Sequence, residues 1–221
     1  MGAFAFLAPE RALAEAGRLD SRLARGEARD AALLGVPCPI KDLSPVAGVG
    51  FEAGSAVLRG NIAAQDDALV GWLAAAGTVM LGKTTVPEFG LPCYTEPETA
   101  APARTPWDLS RSAGGSSGGA AAAVAAGIVP LAHGSDAGGS LRIPASACGL
   151  VGLKASRGRI SSGLLREPGP GLGTDGVLSR TVRDTAVALD VLAGPRRGDT
   201  YHAPAPAGSF LAACEDRIQG L

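Results

Sequence analysis

Two glycine-rich turns in this 221-residue chain present serines in a setting suited to nucleophilic chemistry. The first is Gly114-Gly115-Ser116-Ser117-Gly118-Gly119. The second is Gly134-Ser135-Asp136-Ala137-Gly138-Gly139-Ser140. A Gly-Gly-Ser turn lets backbone N–H groups converge near the serine oxygen, which is what an oxyanion hole requires. Either turn alone reads as an ordinary connection between elements; two in succession, each presenting serine, are less easily dismissed. A serine nucleophile needs a base, and the chain has just two histidines, His133 and His202. A buried neutral lysine can serve instead. Lysine is also scarce: Lys41, Lys83 and Lys154 stand among 20 basic residues, the rest arginine. Lysine can lose its proton when buried and arginine effectively cannot, so these three positions draw attention.

A rival motif needs weighing. Gly77, Gly82, Lys83 and Thr84 fit G-x-x-x-x-G-K-[ST], the phosphate-cradling P-loop. In a P-loop the four intervening residues lie on an exposed loop with their N–H groups turned to phosphate. Here they are Thr78-Val79-Met80-Leu81, an apolar run suited to a buried parallel strand. A helix precedes this strand, Pro87 follows soon after the lysine, and no apolar strand ending in Asp is visible downstream. A nucleotide-binding module is therefore disfavoured, and Lys83 reads as a structural lysine at a strand end.

The elements that must position the turns are legible from periodicity. Residues 9–27 read as an amphipathic helix with Pro9 in its first turn and Leu13, Ala16, Leu19 and Leu23 on one face. Residues 32–43 read as a short buried strand ending at Lys41-Asp42. Residues 65–76 form a second helix, closed by Gly77, with the strand around Lys83 next. After a Pro- and Thr-rich loop (85–108), the first glycine turn opens an alanine helix that Gly127 ends. The strand 128–135 leads into the second turn, and 151–161 read as strand plus turn. Residues 179–193 read as a helix capped by Ser179, with Val182, Ala186 and Leu189 on one face. Strands alternating with helices predict an α/β fold.

Composition narrows the function classes. A chain of this length can build a core, but with 4% aromatic residues that core must rest on Ala, Val, Leu and Ile. A net charge of −1 without a basic face argues against nucleic acid. The longest apolar stretch, 118–132, is too short to span a bilayer, and the N-terminus lacks the basic region of a signal peptide. Four cysteines, at 38, 93, 148 and 214, have neither metal-ligand nor redox spacing and read as reduced thiols in the cytoplasm. With so few histidines, no metal or other cofactor is expected.

GVPCPIKDL, then GGSSGGAAAAVAAG, then GSDAGGSLRIPASACGLVGLKASRGRIS closely resemble the amidase signature family. The resemblance runs through nearly the whole chain. It implies a mixed β-sheet core flanked by helices on both faces, present here in part. Residues 1–221 would be a single domain without the family's usual N-terminal helices and C-terminal half. The resemblance implies that Ser140 is the nucleophile, that Ser116 is a bridging serine after a cis peptide bond, and that Lys41 is the base. It assigns the oxyanion hole to the backbone N–H groups of Ala137, Gly138, Gly139 and Ser140, and places Ser117 and Ser135 in a supporting hydrogen-bond network. Asp136 and Arg142 are expected to form a structural ion pair, and His133 to be buried and structural. The implied partner is a small-molecule amide, hydrolysed to acid and amine; a homo-oligomer is left open.

The sequence departs from the family in places. Lys154-Ala155-Ser156 has alanine where proline is usual, and Ala137 stands where threonine or glycine is common. Ile143 and Arg157 occupy positions that hold glutamine and tyrosine in the family's tRNA transamidase subunits, which favours a free-standing amidase over that alternative. At half the usual length, the chain also fits a second reading, a non-catalytic remnant that serves as an interaction partner.

Overall fold

In the computed structural model, which describes residues 1–27, 30–163 and 171–215, six short strands form two three-stranded sheets. The first has the order β1 (Phe4–Leu7), β3 (Gly82–Thr84), β2 (Ile40–Lys41), with β1 antiparallel and β2 parallel to β3. The second has the order β4 (Leu131–Asp136), β6 (Thr174–Ser179), β5 (Val151–Gly152), all antiparallel. The two sheets meet where β2 lies beside β4: the His133 N–H donates to the Pro39 carbonyl at 3.0 Å. The mixed-sheet expectation therefore holds, with a seam in the middle.

Alternation along the strands sorts the core into two layers. Leu131 and Val177 pack with α2 (Ala68–Ala75) and α5 (Val182–Leu192), through Leu69, Leu73, Leu189 and Leu192. Their neighbours Ala132 and Leu178 pack with α3 (Gly118–Ala125) and α4 (Arg142–Cys148). Helices thus cover both faces. Burying a leucine such as Leu69 contributes about 1.5–3 kcal/mol. Helix α3 is Gly, Ala and Val throughout, and every residue from Gly118 to Val124 is buried. Only small residues fit there: a Cβ on Gly119 would lie 2.4 Å from the Thr85 nitrogen.

Several expectations are corrected. The helix expected over 9–27 is α1 (Pro9–Ala24), and its inward stripe is Ala12, Ala16 and Leu19, packed on Val79; Leu13 is exposed. The strand expected over 32–43 shrinks to Ile40–Lys41 plus a bridge at Pro37, because Pro37 and Pro39 have no N–H for the ladder. Ser179 does not cap α5. It ends β6, and Thr181 caps the helix by accepting the Asp184 N–H at 3.1 Å; Val182 is exposed. Helix α4 and strand β6 were not anticipated.

Candidate active site

Strand β2 brings Lys41 into the interior, where it is fully buried. Its Nζ lies 2.8 Å from Ser116 Oγ, 3.0 Å from Ser135 Oγ and 3.2 Å from the Ser135 carbonyl oxygen. Ser116 is buried, at the mouth of α3, and the Gly115–Ser116 peptide bond is cis, as the resemblance implies. Ser135 comes from the end of β4. One base candidate thus meets both glycine turns.

A backbone bond ties the turns to each other: the Ser117 N–H donates to the Ser140 carbonyl at 3.2 Å. The Ser117 hydroxyl donates to the Ser135 carbonyl at 3.3 Å. This close approach requires glycine at 134, where a Cβ would lie 2.9 Å from Ser117 Oγ and 2.7 Å from Leu141. Ser140 is half-buried, while Ala137 and Gly138 are exposed, so the second turn faces outward as Ser116 and Lys41 face inward.

Asp136 shapes that second turn. Its carboxylate accepts the N–H groups of Gly139 at 2.7 Å, Leu141 at 3.1 Å and Arg142 at 3.3 Å, and pairs with the Arg142 guanidinium through two contacts of 2.9 Å. Burial pushes this carboxyl up, but the Arg142 bond and the three backbone donors outweigh it and hold it at about 2. The expected ion pair is present. One expected oxyanion donor is not available: the Gly139 N–H is turned to Asp136. The N–H groups of Ala137, Gly138 and Ser140 have no partner among the described residues.

The other two lysines lie outside this cluster. Lys83 is buried in β3, with Nζ 2.6 Å from Asp42 Oδ1 and 5.1 Å from the Phe51 ring centre. Desolvation pushes Asp42 up and Lys83 down, each opposed by the partner's charge. The strand expected over Thr78-Val79-Met80-Leu81 is reduced to a bridge at Val79, but these residues are buried or half-buried. The N–H groups of Thr78, Val79 and Met80 donate to Leu73, Val36 and Glu15, so the P-loop pattern offers no open phosphate cradle. Lys154 is half-buried and donates to the Ala155 carbonyl. His133 is buried, as expected, but it touches Lys41: its Nδ1 accepts the Lys41 backbone N–H at 3.2 Å. Sequence reasoning missed that contact, because the two residues are 92 positions apart. Among the described residues no group of three or more His, Cys, Asp or Glu could hold a metal ion, and no helix is long and apolar enough to cross a membrane.

The family model for amidases matches residues 1–220. The chain belongs to the amidase family. The 6-aminohexanoate-cyclic-dimer hydrolase of Paenarthrobacter ureafaciens is 48% identical over 198 residues, 87% of this chain and 39% of that protein. A glutamyl-tRNA(Gln) amidotransferase subunit of Anaeromyxobacter sp. (strain K) is 42% identical over 221 residues, all of this chain and 45% of that one. Among solved structures, 6-aminohexanoate cyclic dimer hydrolase complexed with substrate superposes with a TM-score of 0.86 at 39% identity, covering 97% of this chain and 44% of that one. A bacterial aryl acylamidase of the amidase signature family gives 0.82 at 33% identity, covering 94% and 43%. This amidase-family chain thus spans less than half the length of each of these relatives.

Proposed function

We propose that this chain carries the catalytic centre of an amidase that hydrolyses a carboxylic amide through an acyl-serine intermediate. The observation that carries the reading is the 2.8 Å approach of the buried Lys41 Nζ to Ser116 Oγ, on a turn bound through Ser117 to the Ser140 backbone. A neutral amine has two N–H donors and one lone pair. With the donors on the Ser135 carbonyl and hydroxyl, the lone pair is left for the Ser116 proton.

Ser140 Oγ attacks the amide carbonyl carbon and passes its proton to Ser116 Oγ, whose own proton moves to Lys41 Nζ. The N–H groups of Ala137, Gly138 and Ser140 hold the resulting oxyanion, while Asp136 fixes the turn that carries them. Collapse breaks the C–N bond. The relay runs backward to protonate the leaving amine, and water then releases the acid by the same route. Residues 1–221 are proposed to act as one domain, on a small-molecule amide. Ile143 and Arg157 favour a free-standing amidase over a transamidase subunit. Four unpaired thiols, two of them buried, favour a reducing compartment such as the cytoplasm.

Incubation with a fluorophosphonate probe, followed by intact mass and peptide mapping, tests the reading. A single adduct on Ser140, lost in Lys41→Ala, is expected. Absence of an adduct on folded, soluble protein would overturn it in favour of a non-catalytic remnant.

A further inference from the structure

Lys41 is held at both ends: its Nζ among serine oxygens, and its backbone by one residue of the adjacent strand. His133 grips β2 and the residue just before it. Its N–H donates to the Pro39 carbonyl at 3.0 Å, and its ring Nδ1 accepts the Lys41 N–H at 3.2 Å. A backbone N–H can only donate, so Nδ1 carries no proton and the ring hydrogen sits on Nε2. Nε2 faces Asp175 Oδ1 at 3.2 Å. In the β4–β6 register His133 is opposite Val177 and Asp175 is opposite Ser135, so the histidine and the carboxylate are diagonal neighbours on one face of the sheet. Both are buried.

The need for such a clamp follows from the sequence around the lysine. Strand β2 is two residues long, and Pro37 and Pro39 supply no donors to a neighbouring strand. The Lys41 N–H is the donor that faces the seam with β4, and the ring of His133 stands where a ladder carbonyl would otherwise accept it. Within the triad reading, on which this inference rests, we propose that His133, held in its Nε2–H form by Asp175, is a positioning residue for Lys41. It sets the backbone from which Nζ reaches Ser116.

The test compares His133→Leu, which fills the space without an acceptor, with His133→Asn, whose side-chain oxygen restores one near the Nδ1 position. Labelling by a fluorophosphonate is followed over a range of probe concentrations. His133→Leu should lower the maximal labelling rate by about a hundredfold, the scale of an ångström-sized misplacement, with half-saturation little changed. His133→Asn should recover most of that loss. Amide hydrogen exchange at Lys41 is measured alongside and should accelerate at least about tenfold in His133→Leu, but not in His133→Asn. Wild-type labelling rate and exchange in folded His133→Leu would overturn the proposal, as would an Asn variant as impaired as the Leu variant. If His133→Leu does not fold, the Asn variant decides alone: near-normal labelling with a protected Lys41 amide supports the role, and loss of both overturns it. If the unaltered chain takes no label, the proposed function fails separately. The exchange rates then still judge the contact.

Discussion

Lys41 and Lys83 sit on adjacent parallel strands, one register step apart, and both are completely buried. The hydrogen-bond partners described for their amines differ. Lys83 meets a buried carboxylate at 2.6 Å and lies over an aromatic ring, surroundings that favour a retained positive charge. The Lys41 amine meets serine hydroxyls and a carbonyl. All three oxygens can accept from a neutral amine, and the serine hydroxyls can in addition hand it a proton. Burial makes a lysine unusual; its partners suit it to a clamp, as at Lys83, or to the base role proposed for Lys41.

Substituting methionine at each position is the strongest test of that contrast. Lys41→Met should slow acylation of Ser140 by about 10²–10⁴-fold, the range of a lost general base, while the folded protein persists. Lys83→Met should do the reverse. It leaves the Asp42 carboxylate buried without its cation and should cost about 3–5 kcal/mol of stability, read by urea titration, while the folded fraction still labels. Equal effects of the two substitutions on labelling would erase the distinction. Replacing both members of the second pair, Lys83→Met with Asp42→Leu, should return much of the lost stability, since the uncompensated charge is then gone.

The same contrast explains what could be read before the fold was known. The two glycine turns announced themselves, because converging backbone demands glycine wherever it happens and the serines stand beside it. Helices α2 and α5 followed from periodicity and α3 from its alanine run, and the Lys83 motif was set aside because its four intervening residues were too apolar for a loop. What remained hidden is long-range. Nothing near His133 in the sequence names Lys41 as its neighbour or Asp175, 42 positions on, as its partner. Strand β6 was invisible because Gly176 interrupts its apolar alternation, and Pro144 concealed α4. Resemblance supplied the Gly139 N–H as an oxyanion donor, and local chemistry took it away: the Asp136 carboxylate three residues earlier is closer at hand.

That carboxylate separates the two turns in acid. Its folded-state value, about 2, lies below the ordinary aspartate range, so Asp136 contributes stability that is present above about pH 4 and lost as the pH falls toward 2. Because Arg142 is half exposed, the contribution is discounted to about 1 kcal/mol. Asp136→Asn should remove that part of the acid dependence, seen as a smaller drop in melting temperature between pH 5 and about pH 2.5. An unchanged acid profile would mean that the Asp136 carboxylate contributes nothing to stability in this range.

The smallest expected effect belongs to Ser135. It offers the Lys41 amine two oxygens, and Ser135→Ala removes only one. The carbonyl stays, so the amine keeps an acceptor and its orientation toward Ser116. One neutral hydrogen bond is worth about 0.5–1.5 kcal/mol, so labelling should slow by only about 2–12-fold. A drop as large as that of Lys41→Met would make the Ser135 hydroxyl a member of the proton relay. No drop would leave the carbonyl as the group that aims the lysine. Either way the measurement asks which of the oxygens around a buried amine sets its direction, a question that the carboxylate beside Lys83 answers outright for its own.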